Sequence, residues 1–372
     1  MKLKINKNIF LEQLNIVSKA LSNKNIIPVL SSIKLDLLEN GLFLTASDND
    51  MIIQSFIEKD NIINIEQTGS IVVVGKLLLE IIRKLPTDEI ILDLVDNNKL
   101  YIKNEQTEFY IIVIDVREYP DYDFELSKNP IIINSNVLKE IVNRTHFCSS
   151  LSEVRPILTG INITIKNDIL TAVATDSYRL AKYSIKLDNQ VNDNEYDLNI
   201  LSKNIVEYIR MLDDNIEVEI NIFSNKCIFK TKGILFQTKL LNGTFPNTSN
   251  LVPNSFKFNI KCPVNKLYDS IDRVSLLTVE KDKYIINFKL STDCLVASSI
   301  SAEIGKVEDT LEVENPSNEM LNISFNARYM LEALKAIETD NACLYFNTEQ
   351  SHIILKEEDN EEYVQIIPPI IC

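Results

Sequence analysis

The chain has 372 residues, is 45% hydrophobic and 24% charged, and carries a formal net charge of −15. Its length favours two or three domains over a single core, and no apolar run approaches the ~20 residues that span a bilayer. The acidity argues against wrapping of nucleic acid by the whole surface, because phosphate binding needs Lys and Arg. It does not exclude a local basic face on an acidic body.

The N terminus and the cysteines indicate the compartment. Residues 1–6 alternate like a strand and lack the apolar core of a signal peptide. The six cysteines never form a C-x-x-C pair, which predicts reduced thiols in a cytoplasmic protein.

Each third of the chain opens with a predicted amphipathic helix, at 10–21, 137–148 and 266–277. A short strand with a small-polar turn follows, at 44–48 and 173–176 and, more weakly, at 295–299. The first two thirds then close on an aromatic–proline pair, Tyr119-Pro120 and Phe245-Pro246. Elements that recur in one order at a period of about 125 residues indicate three copies of a whole domain.

A second helix recurs in each third and carries the clearest pattern. A base, a glutamate and a second base stand at i, i+4 and i+7: Lys76, Glu80 and Arg83; Lys203, Glu207 and Arg210; Arg328, Glu332 and Lys335. This spacing places the three side chains on one helix face. The first helices add Arg144 and Arg273 at equivalent positions, with Lys19 and Lys139.

Short alternating runs between the helices predict strands, for example at 161–165 and 216–220, and a more apolar run at 342–346 is strand-like in length and composition. We therefore predict an α+β fold of three tandem, similar domains, each an antiparallel sheet with two helices on one face. The predicted domains are 1–126, 127–253 and 254–372, with boundaries in polar, proline-containing stretches.

The basic columns have two interpretations. One is a solvated helix face in which each glutamate pairs with its neighbouring bases. The other is a basic lining, because three domains placed around an axis would bring three such faces together. A duplex inside that lining would be held through its backbone, and such contacts carry no sequence information.

The chain as a whole resembles the bacterial DNA polymerase III beta subunit, the sliding clamp family. The residues that carry the resemblance are the run Ala174-Thr175-Asp176-Ser177-Tyr178-Arg179-Leu180, the pair Phe245-Pro246 with Leu251-Val252-Pro253, Ile27–Leu30, Tyr208–Leu212 and Tyr363–Ile370. The resemblance implies a ring-shaped head-to-tail homodimer that encircles double-stranded DNA. Phe109 and Ile111 of one copy would meet Leu276 and Leu277 of the other, and the alternative is that these four are ordinary core residues.

The resemblance also implies two kinds of binding residue. DNA contacts would come from Lys24, Lys76, Arg83, Arg155, Lys203 and Arg210. Arg155 would lie between the DNA face and the pocket, so either role is open to it. A pocket between domains 2 and 3 would take short apolar motifs of the replicative polymerase, the clamp loader and repair proteins. Its residues would be Leu158, Thr175, Ser177, Tyr178, Arg179, Leu180, Pro246, Leu251, Ile366, Ile367, Pro368 and Pro369. Plain core packing of the apolar members, and a simple turn at 175–177, are the alternatives.

Several positions depart from the family pattern. Ser177 stands where a glycine is usual, Tyr178 where a histidine is frequent, and Asn250 where a base is frequent. Pro156 and Ile157 replace two aromatic residues after Arg155. We expect a pocket of altered shape with a modified peptide preference.

Two other functions compete with this reading. An enzyme is disfavoured because the sequence has no phosphate-binding glycine loop, no H-E-x-x-H and only two histidines, at 146 and 352. We predict no catalytic residue, no metal and no cofactor, and we interpret Asp48, Asp50 and Asp176 as turn residues. A three-domain adaptor or scaffold that does not bind DNA is the alternative. The acidic charge favours it and the repeated basic columns oppose it.

Overall fold

The computed structural model describes residues 1–21, 27–86, 88–96, 98–187, 195–281, 284–301 and 304–371. It contains two compact units, one of Met1–Asn136 with Glu207–Leu240 and one of Val137–Val206 with Leu241–Cys372. Among the described residues, no helix is both long and apolar enough to cross a membrane.

The elements fall into three series. The first is β1 (Lys2–Asn6), α1 (Lys7–Val17), β2 (Ser32–Leu38), β3 (Gly41–Ser47), β4 (Met51–Glu58), β5 (Ile62–Gln67), β6 (Gly69–Val74), α2 (Gly75–Lys84), β7 (Glu89–Val95), β8 (Lys99–Lys103) and β9 (Glu108–Ile112). The second is β10 (Ile131–Asn134), α3 (Ser135–Asn143), β11 (Gly160–Lys166), β12 (Ile169–Thr175), β13 (Leu180–Lys186), β14 (Tyr196–Leu201), α4 (Ser202–Ile209), β15 (Glu217–Ile222), β16 (Lys226–Thr231) and β17 (Ile234–Lys239). The third is β18 (Phe258–Pro263), α5 (Val264–Ser275), β19 (Ile285–Leu290), β20 (Cys294–Ser301), β21 (Gly305–Glu312), β22 (Leu321–Asn326), α6 (Ala327–Lys335), β23 (Asn341–Phe346), β24 (Ile353–Glu357) and β25 (Asn360–Ile367).

The three series have the same order of elements, which confirms three tandem α+β domains. Each runs strand, helix, four strands, helix and three strands, and the first has β5 as an addition. The predicted strands at 161–165, 216–220 and 342–346 are β11, β15 and β23 within a residue or two.

The strands of each domain divide between two antiparallel sheets. In the first unit the orders are β5-β1-β7-β8-β9 and β10-β15-β16-β17-β4-β3-β2-β6. In the second unit they are β14-β11-β12-β13-β25-β24-β23-β18 and β21-β20-β19-β22. The two eight-stranded sheets run across the predicted domain boundaries, so the boundaries themselves stay a prediction.

The same strand pairing joins successive domains. The last strand of the second series, β17, pairs with β4 of the first series, and β25 of the third pairs with β13 of the second. The equivalent strands β9 and β21 each end a sheet. Among the described strands, neither β9 nor β21 therefore has a partner on its outer side.

Alternation of side chains explains the strands. In β1, Leu3 and Ile5 are buried, whereas Lys2 and Lys4 point outward and form ion pairs with Glu66 and Glu89 at 2.8 and 2.5 Å. Successive side chains of a strand face opposite sides, so one face builds the core and the other meets water.

The first helices begin earlier than the sequence predicted and also end earlier. α1 begins at Lys7 because the Asn6 side chain accepts hydrogen bonds from the backbone N–H groups of Asn8 and Ile9. A separate 3₁₀ turn covers Ser18–Ala20, the end of the predicted helix.

The second helices begin at a small residue, Gly75, Ser202 or Ala327. A Cβ atom at Gly75 would collide with the Leu21 and Ile33 side chains. The start of α2 is therefore closely packed against these two side chains.

Candidate functional site

The turn after β12 is stabilised by its own polar side chains. The Thr175 hydroxyl donates to the Arg179 carbonyl at 2.6 Å, and Asp176 Oδ1 accepts from the N–H groups of Tyr178 and Arg179 at 2.9 Å. Ser177 lies at φ +78°, a left-handed conformation that favours glycine. This arrangement holds Tyr178 68% exposed.

The equivalent turn in the first domain has the same geometry. Asp48 Oδ1 accepts from the N–H groups of Asp50 and Met51 at 3.0 and 2.8 Å, and Asn49 lies at φ +81°. Asp48 and Asp176 are therefore turn residues, as predicted. Within the described ranges, no group of three or more His, Cys, Asp and Glu side chains is placed to hold a metal.

The guanidinium of Arg179 is buried, and each of its three nitrogens donates a hydrogen bond. Its Nε donates to Asp176 at 3.1 Å, Nη1 to Glu332 at 2.5 Å and Nη2 to the Phe147 carbonyl at 2.6 Å. Its Cζ also lies 4.4 Å from the centre of the Tyr329 ring. Arg179 thereby attaches α6 of the third domain to the β12–β13 turn of the second.

A cavity of about 780 Å³ opens beside this turn. Four predicted pocket residues line it, namely Leu158, Ser177, Tyr178 and Arg179. Arg155, predicted to contact DNA, lines the same cavity, and its Nη1 donates to the Ser177 hydroxyl at 3.3 Å.

The sequence reasoning missed much of this lining. The additional residues are Ser149, Ser150, Leu151, Ser152, Val154, Asp176, Tyr284, Asn326, Arg328 and Tyr329. Asn326 caps α6, where its side chain accepts from the N–H groups of Arg328 and Tyr329. The repeated basic helix pointed to this segment, but only the fold brings α6 to the turn after β12.

Other predicted pocket residues belong to an apolar cluster at the start of β13. Leu180 and Ile366 are buried there with Val173, Ile354 and Val364. Phe245, Val252, Phe256 and Tyr345 pack on this cluster while partly exposed. Of the remaining predicted residues, Thr175 and Ile367 are buried, Pro246, Pro368 and Pro369 are half-buried, and Leu251 is 48% exposed.

The C-terminal segment is anchored along β22. Pro369 forms a bridge with Phe325, and the Ile370 N–H donates to the Ser324 carbonyl at 2.7 Å. The two prolines after β25 therefore lead from one sheet of the unit to the other.

The first junction has a different chemistry at the equivalent positions. Leu180 faces Ile366, but its counterpart Ile52 faces Gln237. The counterpart of Val173 is Thr45, whose hydroxyl accepts from Gln54 at 3.1 Å and whose carbonyl accepts from the buried Tyr119 hydroxyl at 3.2 Å. The second junction thus has an apolar, partly uncovered cluster, whereas the first has polar side chains at two of the equivalent positions.

The basic columns are exposed and carry internal ion pairs. Arg83 pairs with Glu80 at 2.5 Å, and Arg210 pairs with Glu207 at 2.7 Å. In the third column Glu332 accepts from Arg328 at 3.0 Å with one oxygen and from Arg179 with the other. Lys76, Lys203 and Lys335 are exposed, and Arg210 lies in the turn just after α4. Lys24 lies outside the described residues.

Arg144 does not belong to a basic face, contrary to the equivalence drawn from the sequence. Its side chain is 6% exposed and lies 3.2, 2.8 and 2.7 Å from the carboxylates of Glu140, Glu338 and Glu357. The contact with Glu338 has hydrogen-bond geometry. The guanidinium also lies over the Tyr183 and Tyr363 rings, at 4.6 and 5.0 Å from their centres.

Of the other first-helix bases, Arg273 is exposed and pairs with Asp309 at 2.5 Å. Lys19 is half-buried, and desolvation lowers its pKa although Glu207 lies nearby to raise it.

Two of the predicted dimer residues lie on the edge strand β9, and the other two lie in the turn after α5. On β9, Phe109 is 37% exposed and Ile111 is buried, while Tyr110 and Ile112 are 65% and 73% exposed. In the third domain Leu276, directly after α5, is 70% exposed and Leu277 is half-buried.

Three tandem α+β domains with one repeated strand junction define the DNA-clamp class of fold. The N-terminal, central and C-terminal domain models of the DNA polymerase III beta subunit match residues 1–123, 132–247 and 249–371. The chain belongs to the DNA polymerase III beta subunit family.

Individual relatives match along the whole chain. A beta sliding clamp of Bacillus subtilis (strain 168) is 35% identical, and one of Staphylococcus aureus (strain Mu50) is 34% identical. Each match covers 100% of this chain and 99% of the relative. The crystal structure of the Bacillus subtilis DNA polymerase sliding clamp superposes with a TM-score of 0.95 at 34% identity, covering 100% of this chain and 99% of that one. The Streptococcus pyogenes beta subunit superposes with a TM-score of 0.94 at 30% identity, covering 100% of both chains.

Proposed function

We propose that this chain is a DNA sliding clamp, a processivity factor that encircles duplex DNA and tethers the replicative polymerase and other replication and repair proteins. The observation that carries the proposal is the repeated junction between domains. β17–β4 and β25–β13 are the same pairing, and the pattern leaves β9 and β21 open.

A second copy of the chain completes this pattern. β9 of one copy would pair with β21 of the other, as β17 pairs with β4 within the chain. Such a head-to-tail contact either closes by rotation or forms a filament. Closure after two copies would make a ring of six domains, and the exposed Phe109 and Leu276 support these edges as its contacts.

The DNA contacts would come from the second helices. Each exposes two bases separated by a glutamate, in a chain of net charge −15. A ring needs no tight binding to stay on DNA, so a modest local positive face suffices. Lys76, Arg83, Lys203 and Arg210 are the proposed contacts, and Lys335 is the third-domain counterpart of Arg83 and Arg210. Lys24 and Arg155 are implied by the family resemblance.

The partner motifs would bind to the second junction. The cluster around Leu180 and Ile366 supplies an apolar floor that Phe245, Val252 and Phe256 cover only in part. The adjoining cavity supplies polar groups that fix orientation. An apolar surface with few convergent polar groups is the usual form of such a site.

A charge-reversal variant tests the proposal. Arg83→Glu, Arg210→Glu and Lys335→Glu together should shorten primer extension by the cognate polymerase and clamp loader, and should leave the dimer intact. The matched control reverses three exposed lysines outside the columns, Lys59, Lys186 and Lys289, and should extend primers as the wild type does. Unchanged processivity in the first variant contradicts the DNA role and favours the adaptor alternative.

A further inference from the structure

The chain has two Asn-Gly pairs, Asn40-Gly41 and Asn242-Gly243. The side-chain amide of an asparagine before glycine can be attacked by the glycine's backbone nitrogen, because glycine has no Cβ to obstruct the approach. Both asparagines are exposed. Whether either one reacts therefore depends on how firmly the peptide that follows it is held.

The first pair lies in the β2–β3 turn, where the glycine is fixed on both sides. Gly41 is buried and pairs with Leu38 of β2 and with Glu58 of β4. A Cβ atom at Gly41 would lie 2.2 Å from the Ile57 carbonyl oxygen. The backbone nitrogen of Gly41 therefore cannot turn toward the Asn40 side chain unless the strands separate locally.

The second pair lies after β17, outside any strand or helix. Gly243 is exposed at φ +117°, and apart from its chain neighbours a Cβ atom there would meet only the Ile157 side chain, at 3.9 Å. Within the described residues, neither the Gly243 N–H nor the Asn242 side chain forms a hydrogen bond. The nitrogen and the amide carbon that would react are therefore unobstructed.

The loop around the second pair is anchored on either side of it. The Leu241 N–H donates to the Asn199 carbonyl at 2.8 Å, and Phe245 packs on the apolar cluster at the start of β13. The residues between these anchors, 242–244, are all exposed. Rotation of the peptide between Asn242 and Gly243 therefore displaces no buried side chain.

We propose that Asn242 is a site of spontaneous deamidation and that Asn40 is protected by the fold. The Gly243 nitrogen bonds to Cγ of Asn242, the Cγ–Nδ2 bond breaks, and the proton of the attacking N–H leaves with the amide nitrogen as ammonia. Water then opens the cyclic imide. Cleavage at the Cγ carbonyl leaves aspartate at position 242, and cleavage at the main-chain carbonyl leaves isoaspartate.

The product changes both the charge and the length of the loop. Either acid adds a negative charge to a chain whose formal net charge is −15. Isoaspartate also places an additional carbon in the backbone between Leu241 and Phe245. Intact and deamidated molecules therefore differ beside a side chain that packs on the apolar cluster of the second junction.

The test follows both asparagines in the same folded protein. The intact chain is incubated at physiological temperature and mildly alkaline pH, digested in acid to prevent further reaction, and analysed by mass spectrometry. The peptide containing position 242 should convert to the acid at least about tenfold faster than the peptide containing position 40, because Gly41 must first leave its backbone pairing. The rate at position 242 should rise with pH, since the attacking nitrogen must lose its proton.

Unfolding and substitution separate protection by the fold from the chemistry of the sequence. In concentrated urea the ratio of the two rates should fall to about one, because neither glycine is then held. An isoaspartyl methyltransferase labels the isoaspartate in the aged protein. This label should be lost in Asn242→Gln and retained in the matched variant Asn40→Gln.

An Asn242 that keeps its amide in the folded protein would overturn the proposal, whatever happens in urea. Equal rates at the two positions in the folded protein would do the same, since they would show that the pairing of Gly41 gives no protection. A methyltransferase label that persists in Asn242→Gln would place the reaction at another residue.

Discussion

Leu180 and Ile366 face each other across the β13–β25 junction, whereas their counterparts Ile52 and Gln237 face each other across β4–β17. The strand geometry is the same at both junctions, but one pair is wholly apolar and the other contains an amide. This difference separates a surface suited to apolar peptides from one that is not. The two junctions therefore share their strand pairing and differ in the side chains that it brings together.

Substitutions at the two junctions should affect peptide binding differently. Ile366→Gln should lower the affinity for a partner peptide about tenfold, because it removes the apolar surface that one buried side chain contributes to the site. The matched variant Gln237→Ile, at the other junction, should leave affinity unchanged. Calorimetric titration measures both, and urea unfolding must accompany it since Ile366 is buried.

Substitutions of two exposed leucines test the same site without altering the core. Leu251 and Leu38 are both 48% exposed, one beside the apolar cluster and one in β2. Leu251→Glu should weaken peptide binding, and Leu38→Glu should leave it unchanged. Equal effects of the two would place the peptide elsewhere.

Arg144 should matter far more for stability than its sequence counterpart Arg273. Arg144→Met leaves Glu357, whose side chain is 2% exposed, without its cation. Loss of one partner of a buried pair costs about 3–5 kcal/mol in the free energy of unfolding. Arg273→Met removes an exposed pair with Asp309 and should cost about 0–1 kcal/mol. Chemical unfolding of both variants measures the contrast, and similar losses would contradict the account of the Arg144 network.

The open edges predict a specific effect on assembly. Leu276→Asp places a charge on a side chain that is 70% exposed, so the monomer should fold normally while the dimer weakens at least about tenfold. Met320→Asp, at a position 77% exposed in the same domain, is the control and should leave the dimer unchanged. Sedimentation at several protein concentrations measures the fraction of the protein that is dimeric. If Leu276→Asp dimerises as the wild type does, the interface lies on other residues.

Buried thiols predict a loss of stability in alkali. Burial raises the pKa of Cys262 from 9.0 to about 12, with a smaller contribution from Cys343. Between these two values the unfolded chain has released a proton that the folded chain retains, so the free energy of unfolding falls as pH rises. The contribution is fully present below about pH 9 and is lost by about 1.4 kcal/mol per pH unit up to the folded pKa.

Cys262→Val isolates this effect. Its free energy of unfolding should decline less steeply than that of the wild type between pH 9 and 12, and the difference between the two proteins should be constant below pH 9. Urea unfolding at a series of pH values measures both. Parallel declines would mean that Cys262 does not contribute.

Much of the fold was determined by the sequence alone, because helix and strand periodicity are local properties. The base–glutamate–base helices, the small residues that begin them and the small-polar turns recur at one period, and this was enough to predict three α+β domains. The family resemblance supplied the expected position of a peptide pocket, which stays a prediction. The helix ends were less accurate, since a cap such as Asn6 acts through one side chain and leaves no periodic signal.

Only the tertiary structure decided which similar residues have similar environments. Arg144 and Arg273 occupy equivalent places in the sequence pattern, yet one is enclosed by carboxylates and rings of two domains and the other forms an exposed ion pair with Asp309. Arg179 and Arg155 both line the cavity, but contacts from α6 engage one and not the other. Burial and pairing depend on segments far apart in the chain, and no local pattern records them.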